Sequence, residues 1–109
     1  MAAGYQAQGH TRVGFNTDSP IVPQEEFHLQ AAMGVRYGFD NSEMDALRGL
    51  TIVPALAAKV ADRVGSLEVG KHADILVVDG DPTDPRTRVD LVLIEGRTVY
   101  DTKRETRLW

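Results

Sequence analysis

The sequence predicts an α+β chain, with helices first and an antiparallel β-unit last. Three patterns predict it. Phe27, Ala31 and Val35 recur at i, i+4 and i+8, flanked by Met33 and Tyr37, which is the spacing of one buried helix face. Ile75-Leu76-Val77-Val78 is a strand core rich in β-branched residues. Val89–Glu95 and Arg97–Asp101 make a further pair of strands, joined tightly around Gly96. The expected order is one short strand, two or three helices packed on it, then a three-stranded antiparallel unit.

Each element has its own local signal. Ala2, Ala3 and Tyr5 form the end of a helix that Gly9 terminates. Arg12–Thr17 reads as a short strand with Val13 and Phe15 on one face. Ser19-Pro20 and Pro23 stop it, because proline cannot donate to a ladder and fixes its own φ. Pro23 suits the first turn of the helix over 24–38, Glu25 and Glu26 favour its positive end, and Gly38 is its stop. Ser42 reads as the next N-cap, with Asp45 standing in for the usual Glu or Gln of a capping box. Met44, Leu47 and Leu50 supply that helix's apolar stripe. A separate helix begins near Thr51 with Pro54 in its first turn, since a proline inside one continuous helix costs about 3 kcal/mol. Gly65 and Gly70 bracket a turn before the strand over 73–79, and Gly80-Asp81-Pro82 and Asp84-Pro85 mark a loop. The charged tail from Thr102 to Leu108 is expected to fray, with Trp109 packing back.

Length and composition exclude several classes. One domain fits 109 residues, whereas a whole eight-fold α/β barrel takes about 250. The 42% hydrophobic and 26% charged content is that of a soluble globular protein. A net charge of -4 leaves no footprint for nucleic acid. No apolar run approaches the roughly 20 residues of a membrane helix. The lack of cysteine excludes disulfides, thiolate metal sites and cysteine nucleophiles. The start, MAAGYQAQGHTRVG, has neither the basic nor the apolar region of a secretory signal, so cytoplasm is the expected compartment.

Asp18 is the candidate site residue. It stands just past Val13-Gly14-Phe15, at the C-terminal end of the expected strand. A carboxylate so placed can ligate a divalent metal and take a proton from the water bound to it. Asp-Ser-Pro is also a common turn sequence, so the alternative is that Asp18 starts a turn or caps the next helix.

Residues 13–38, VGFNTDSPIVPQEEFHLQAAMGVRYG, resemble the last barrel strand, loop and helix of the amidohydrolase superfamily, most nearly its imidazolonepropionase-like and prolidase-like members. ALRGLTIVPA resembles the helix pair before the chain leaves the barrel, and VGSLEVGKHADILVVD the exit itself. Leu91–Tyr100 resembles the closing hairpin, so the likeness spans about residues 13–101.

The resemblance implies that residues 1–62 end a TIM-type (β/α)8 barrel and that 63–109 are the returning strands of a small β-sandwich. It implies metal-dependent hydrolysis of C–N bonds in amides, cyclic amides or amidines of a small-molecule substrate, with zinc as the expected metal. The family carries His-x-His on the first barrel strand, often a lysine or glutamate on the fourth, histidines on the fifth and sixth, and an aspartate on the eighth. Asp18 matches that aspartate, for which the family implies metal ligation and general-base activation of water. No His-x-His occurs; the three histidines are His10, His28 and His72. His10 falls in an exposed polar stretch, His28 lies on the helix after Asp18, and His72 lies in the exit turn, so none is expected to ligate metal. The chain alone is therefore expected to be inactive and to hold no tight metal. It is expected to associate with itself or with a missing N-terminal barrel half. A non-catalytic interaction or dimerisation module on the same scaffold is the alternative.

Other patterns have structural readings. Gly65–Lys71 superficially resembles a phosphate loop, but its glycines and lysine are misplaced and a strand follows. Asp79, Asp81 and Asp84 cluster as in a calcium loop, while Pro82 and Pro85 point to a rigid solvated connection. Lys103, Arg104 and Arg107 are offset by Glu105.

Overall fold

The structure, a computed structural model, describes residues 1–10 and 12–105. Helix α1 (Ala2–Ala7) ends where Gly9 adopts φ +87, as the sequence predicts. The segment 12–17 does not form the expected strand. A strand needs a ladder partner, and here Phe15 N–H donates instead to Gly49 O at 3.0 Å, a carbonyl of a helix.

Pro23 precedes a short 3-10 turn, Gln24–Glu26, which runs into α2 (Phe27–Arg36). The expected 24–38 helix is thus present in two conformations, and it stops at Gly38, φ +96. Helix α3 (Asp45–Leu50) begins at Asp45, so Ser42 is not its cap. Asn41 Oδ1 accepts the Ala46 N–H at 2.9 Å instead, reaching across Met44, which turns into the left-handed region at φ 61. Thr51 breaks the helical path at φ -126, ψ -88, and α4 (Ile52–Ala57) follows with Pro54 in its first turn. The separation of α3 from α4 is as expected.

These helices enclose a small core. Ala31, Phe39 and Ala46 are buried, and Val13, Phe15, Val35 and Leu50 pack against them. Phe15 meets Phe39 edge to face, with centroids 5.8 Å apart. Gly49 permits this closeness: a Cβ there would lie 2.6 Å from Val13 O and 2.8 Å from the Phe15 ring. Tight approach of α3 to 13–15 therefore holds the stretch leading to Asp18.

The sheet comprises β1 (Ile75–Val78), β2 (Val89–Ile94) and β3 (Arg97–Asp101), antiparallel in the order β1-β2-β3. Leu93 pairs with Ile75 on one side and Thr98 on the other. Ile94 pairs with Arg97, so the hairpin loop is Glu95-Gly96, at φ 49 and 76. Two positive φ values in a two-residue loop match the right-handed twist of the flanking strands. Among the described residues no helix lies against the sheet. The tail expected to fray is pinned at its start: Thr102 N–H and hydroxyl both donate to Asp90 O, and Lys103 N–H donates to Asp101 Oδ1 at 2.9 Å. The expected packing of Trp109 lies outside the described residues.

Candidate functional site

Asp18 is built from three local constraints. Thr17 is buried at 8% exposure, and its carbonyl accepts the Val22 N–H at 3.2 Å. The Asp18 carbonyl accepts the Ile21 N–H at 2.9 Å, closing a turn that contains the cis Ser19-Pro20 peptide. The Asp18 N–H donates to Asn16 Oδ1 at 3.1 Å, with Asp18 itself at φ 49. The backbone of Asp18 therefore does start a turn. Its side chain does not cap the next helix: Pro23 and Glu26 occupy the two N-cap positions with no side-chain cap bond. Among the described residues the Asp18 carboxylate accepts no hydrogen bond, and the residue is exposed.

The histidines do not join it. His10 is exposed and stands edge to face with Tyr5, 5.7 Å between centroids. His28 is half-buried on α2. His72 is exposed, and its backbone N–H ties the exit turn to Arg63 O at 2.8 Å. Among the described residues no group of three or more His, Cys, Asp or Glu side chains is placed to hold a metal. One carboxylate does not make a metal centre, so the donors among the described residues do not by themselves fit one.

The acidic loop between β1 and β2 is a rigid connection. Asp81 Oδ1 accepts both the N–H and the hydroxyl of Thr83. Asp84 takes a forked ion pair from Arg86, 2.7 Å at its shorter arm. The Arg86 side chain, and then its backbone N–H, draw the Asp84 carboxyl down from 3.8 to about 2. Asp79 accepts the Arg88 N–H at 2.7 Å, which lowers its pKa. These carboxylates are engaged by their own loop. The Gly65–Lys71 segment is likewise structural: Lys71 Nζ lies 3.0 Å from Glu68 and bonds Ser66 Oγ, and Gly65 and Gly70 adopt φ +94 and +92.

An open apolar groove of about 500 Å³ runs between α1, residues 13–16 and α2, with Tyr5, Phe15, Met33 and Tyr37 on its walls. Asn16 reaches it and Asp18 does not. The bond from the Asp18 N–H to Asn16 is the contact that sequence reasoning missed; an Asn two residues before an Asp at a turn was the signal for it. No helix among the described residues is long and apolar enough to cross a membrane.

The arrangement of helices followed by a three-stranded antiparallel sheet is found in known proteins. The profile of the amidohydrolase family matches residues 6–99, from α1 into β3. The chain belongs to that family. It is 32% identical over 94 residues, 86% of its length, to an amidohydrolase of Hapsidospora irregularis, covering 9% of that protein. It is 34% identical over 77 residues, 68% of its length, to an imidazolonepropionase of Sphingopyxis alaskensis, covering 19% of it. A 5-methylthioadenosine/S-adenosylhomocysteine deaminase of Thermoanaerobacter pseudethanolicus is 27% identical over 84% of the chain, which covers 26% of that protein. The crystal structure of an amidohydrolase from Thermotoga maritima superposes with a TM-score of 0.80 at 35% identity, over 91% of this chain and 25% of that one. The chain thus spans about a tenth to a quarter of the length of these relatives.

Proposed function

We propose that this chain is the closing segment of a hydrolase that cleaves a C–N bond in a small amide, cyclic amide or amidine. Residues 1–62 then end a TIM-type barrel, and 63–109 return to a small β-sandwich. Asp18 is the catalytic carboxylate on this reading, accepting a proton from the attacking water. It would be one ligand of a divalent metal, zinc in this proposal, whose other ligands would have to come from outside the described residues. Activity needs the other barrel strands. The supporting observation is that Asp18 is exposed at the start of a turn, its carboxylate accepting no hydrogen bond among the described residues, within the segment that the family profile covers. The names of the relatives, imidazolonepropionase and deaminase, support the bond class.

The test is a chimera in which this chain replaces its matching region in the Sphingopyxis imidazolonepropionase, assayed with imidazolonepropionate. Turnover is expected, and Asp18→Asn is expected to lower it by about 10²–10⁴-fold, the usual worth of general-base assistance. Near-normal turnover by Asp18→Asn would make Asp18 a turn residue only. The open groove beside Phe15 and Met33 favours a second reading, a non-catalytic module that docks on itself or on a partner. A chimera that folds without turnover, together with a self-associating free chain, would favour that reading.

A further inference from the structure

We infer that Asn16 is a positioning residue for Asp18, a reading that rests on Asp18 being the catalytic carboxylate. The backbone around Asp18 is pinned on both sides by bonds that do not involve Asn16's side chain: Phe15 N–H to Gly49 O at 3.0 Å, Val22 N–H to Thr17 O at 3.2 Å and Ile21 N–H to Asp18 O at 2.9 Å. The Asp18 N–H is held differently, by a side chain, Asn16 Oδ1 at 3.1 Å. That bond closes a turn in which an Asn side chain mimics the backbone carbonyl of a β-turn. It accompanies φ 49 at Asp18, in the left-handed region that a residue with a Cβ enters infrequently.

The consequence is directional. Rotation about φ of Asp18 swings its carboxylate relative to the buried Thr17 anchor, and no side-chain bond to that carboxylate among the described residues resists the swing. Asn16 is itself exposed, so its burial does not explain the contact. Losing Oδ1 frees the N–H and removes one of the bonds that hold φ of Asp18, leaving the carboxylate present but less firmly directed. Catalytic geometry is sensitive on this scale, since about 1 Å of misplacement can cost 10²-fold.

Two measurements test this. In the imidazolonepropionase chimera, Asn16→Ala is expected to lower kcat by about 10–100-fold with KM nearly unchanged. Asn16→Asp, which can make the same turn, is expected to restore most of kcat. Asp18→Asn is measured alongside. If Asp18→Asn keeps full turnover, the catalytic reading fails; if it is inactive while Asn16→Ala keeps wild-type kcat, the positioning inference alone fails. In the free chain, amide hydrogen exchange at Asp18 is expected to speed up by up to about tenfold in Asn16→Ala, the worth of one hydrogen bond, and to stay slow in Asn16→Asp. Unchanged Asp18 exchange in Asn16→Ala would overturn the inference independently of any activity.

Discussion

Replacing Gly49 by alanine pits two effects of known sign against each other. Gly49 lies inside α3, where alanine is preferred to glycine by about 0.5–1 kcal/mol. An added Cβ would sit 2.6 Å from Val13 O and 2.8 Å from Cδ2 and Cε2 of Phe15. Carbon contacts are at rest near about 3.5–4.0 Å, so the overlap is large. The atoms in the way are a backbone carbonyl and a ring held against Phe39, which cannot swing clear as a flexible side chain could. Overpacking of this kind costs about 1–3 kcal/mol. Pushing the two segments apart also stretches the bond from Phe15 N–H to Gly49 O, worth about 0.5–1.5 kcal/mol. The clash wins, and Gly49→Ala is expected to destabilise the chain by about 1–3 kcal/mol. Gly4 is the control. It also lies in a helix, and a Cβ added there would meet nothing within 4 Å, so Gly4→Ala is expected to stabilise by about 0.5–1 kcal/mol. Urea unfolding followed by far-ultraviolet circular dichroism reads both as shifts of midpoint at constant slope. A Gly49→Ala chain as stable as the parent would refute the close approach on which the placement of residues 13–18 rests.

Three other perturbations probe separate parts of the molecule. Asn41→Ala removes the acceptor of the Ala46 N–H at the start of α3 and is expected to cost about 1 kcal/mol in the same unfolding assay, whereas Ser42→Ala should cost much less. The Asp84 carboxyl is depressed to about 2 by Arg86, so its contribution to stability is present above its unfolded value of 3.8 and is lost as pH falls through about 2. Acid titration of the unfolding midpoint is expected to show that loss in the parent and not in Asp84→Asn. The free chain is expected to show no stoichiometric tight zinc site by calorimetric titration; one zinc per chain at sub-micromolar affinity would refute the reading of the donor set.

Much of the fold is legible in the sequence because its signals are local. The split between α3 and α4 follows from Pro54, which can stand in a first turn but not in mid-helix. The hairpin follows from Glu95-Gly96, and the end of α2 from Gly38. The cap of α3 is not legible in the same way, because Ser42 and Asn41 are both able caps and the choice depends on where Met44 turns left-handed. Asp18 can be singled out from sequence, but Asn16 behind it cannot be weighted, since an Asn side chain acts on its neighbour only once the backbone has turned to meet it.

By itself the sequence determined the helix stops, the β-hairpin turn, the three-stranded unit and the family, because each depends on residue type at short spacing. The tertiary structure decided what depends on distant partners. Residues 12–17 carry a strand's alternation yet form none, because a ladder needs N–H and C=O groups from another strand, and the carbonyl facing Phe15 belongs to Gly49. The tail is held through Glu105 because Asp90 and Asp101 lie where its first N–H groups arrive. That the Asp18 carboxylate accepts no hydrogen bond among the described residues, while Asp79, Asp81 and Asp84 are bound within their own loop, follows from the path of the chain around each one. Residue type is the same in all four; the surroundings, assembled in three dimensions, decide which of them are engaged by their own loop.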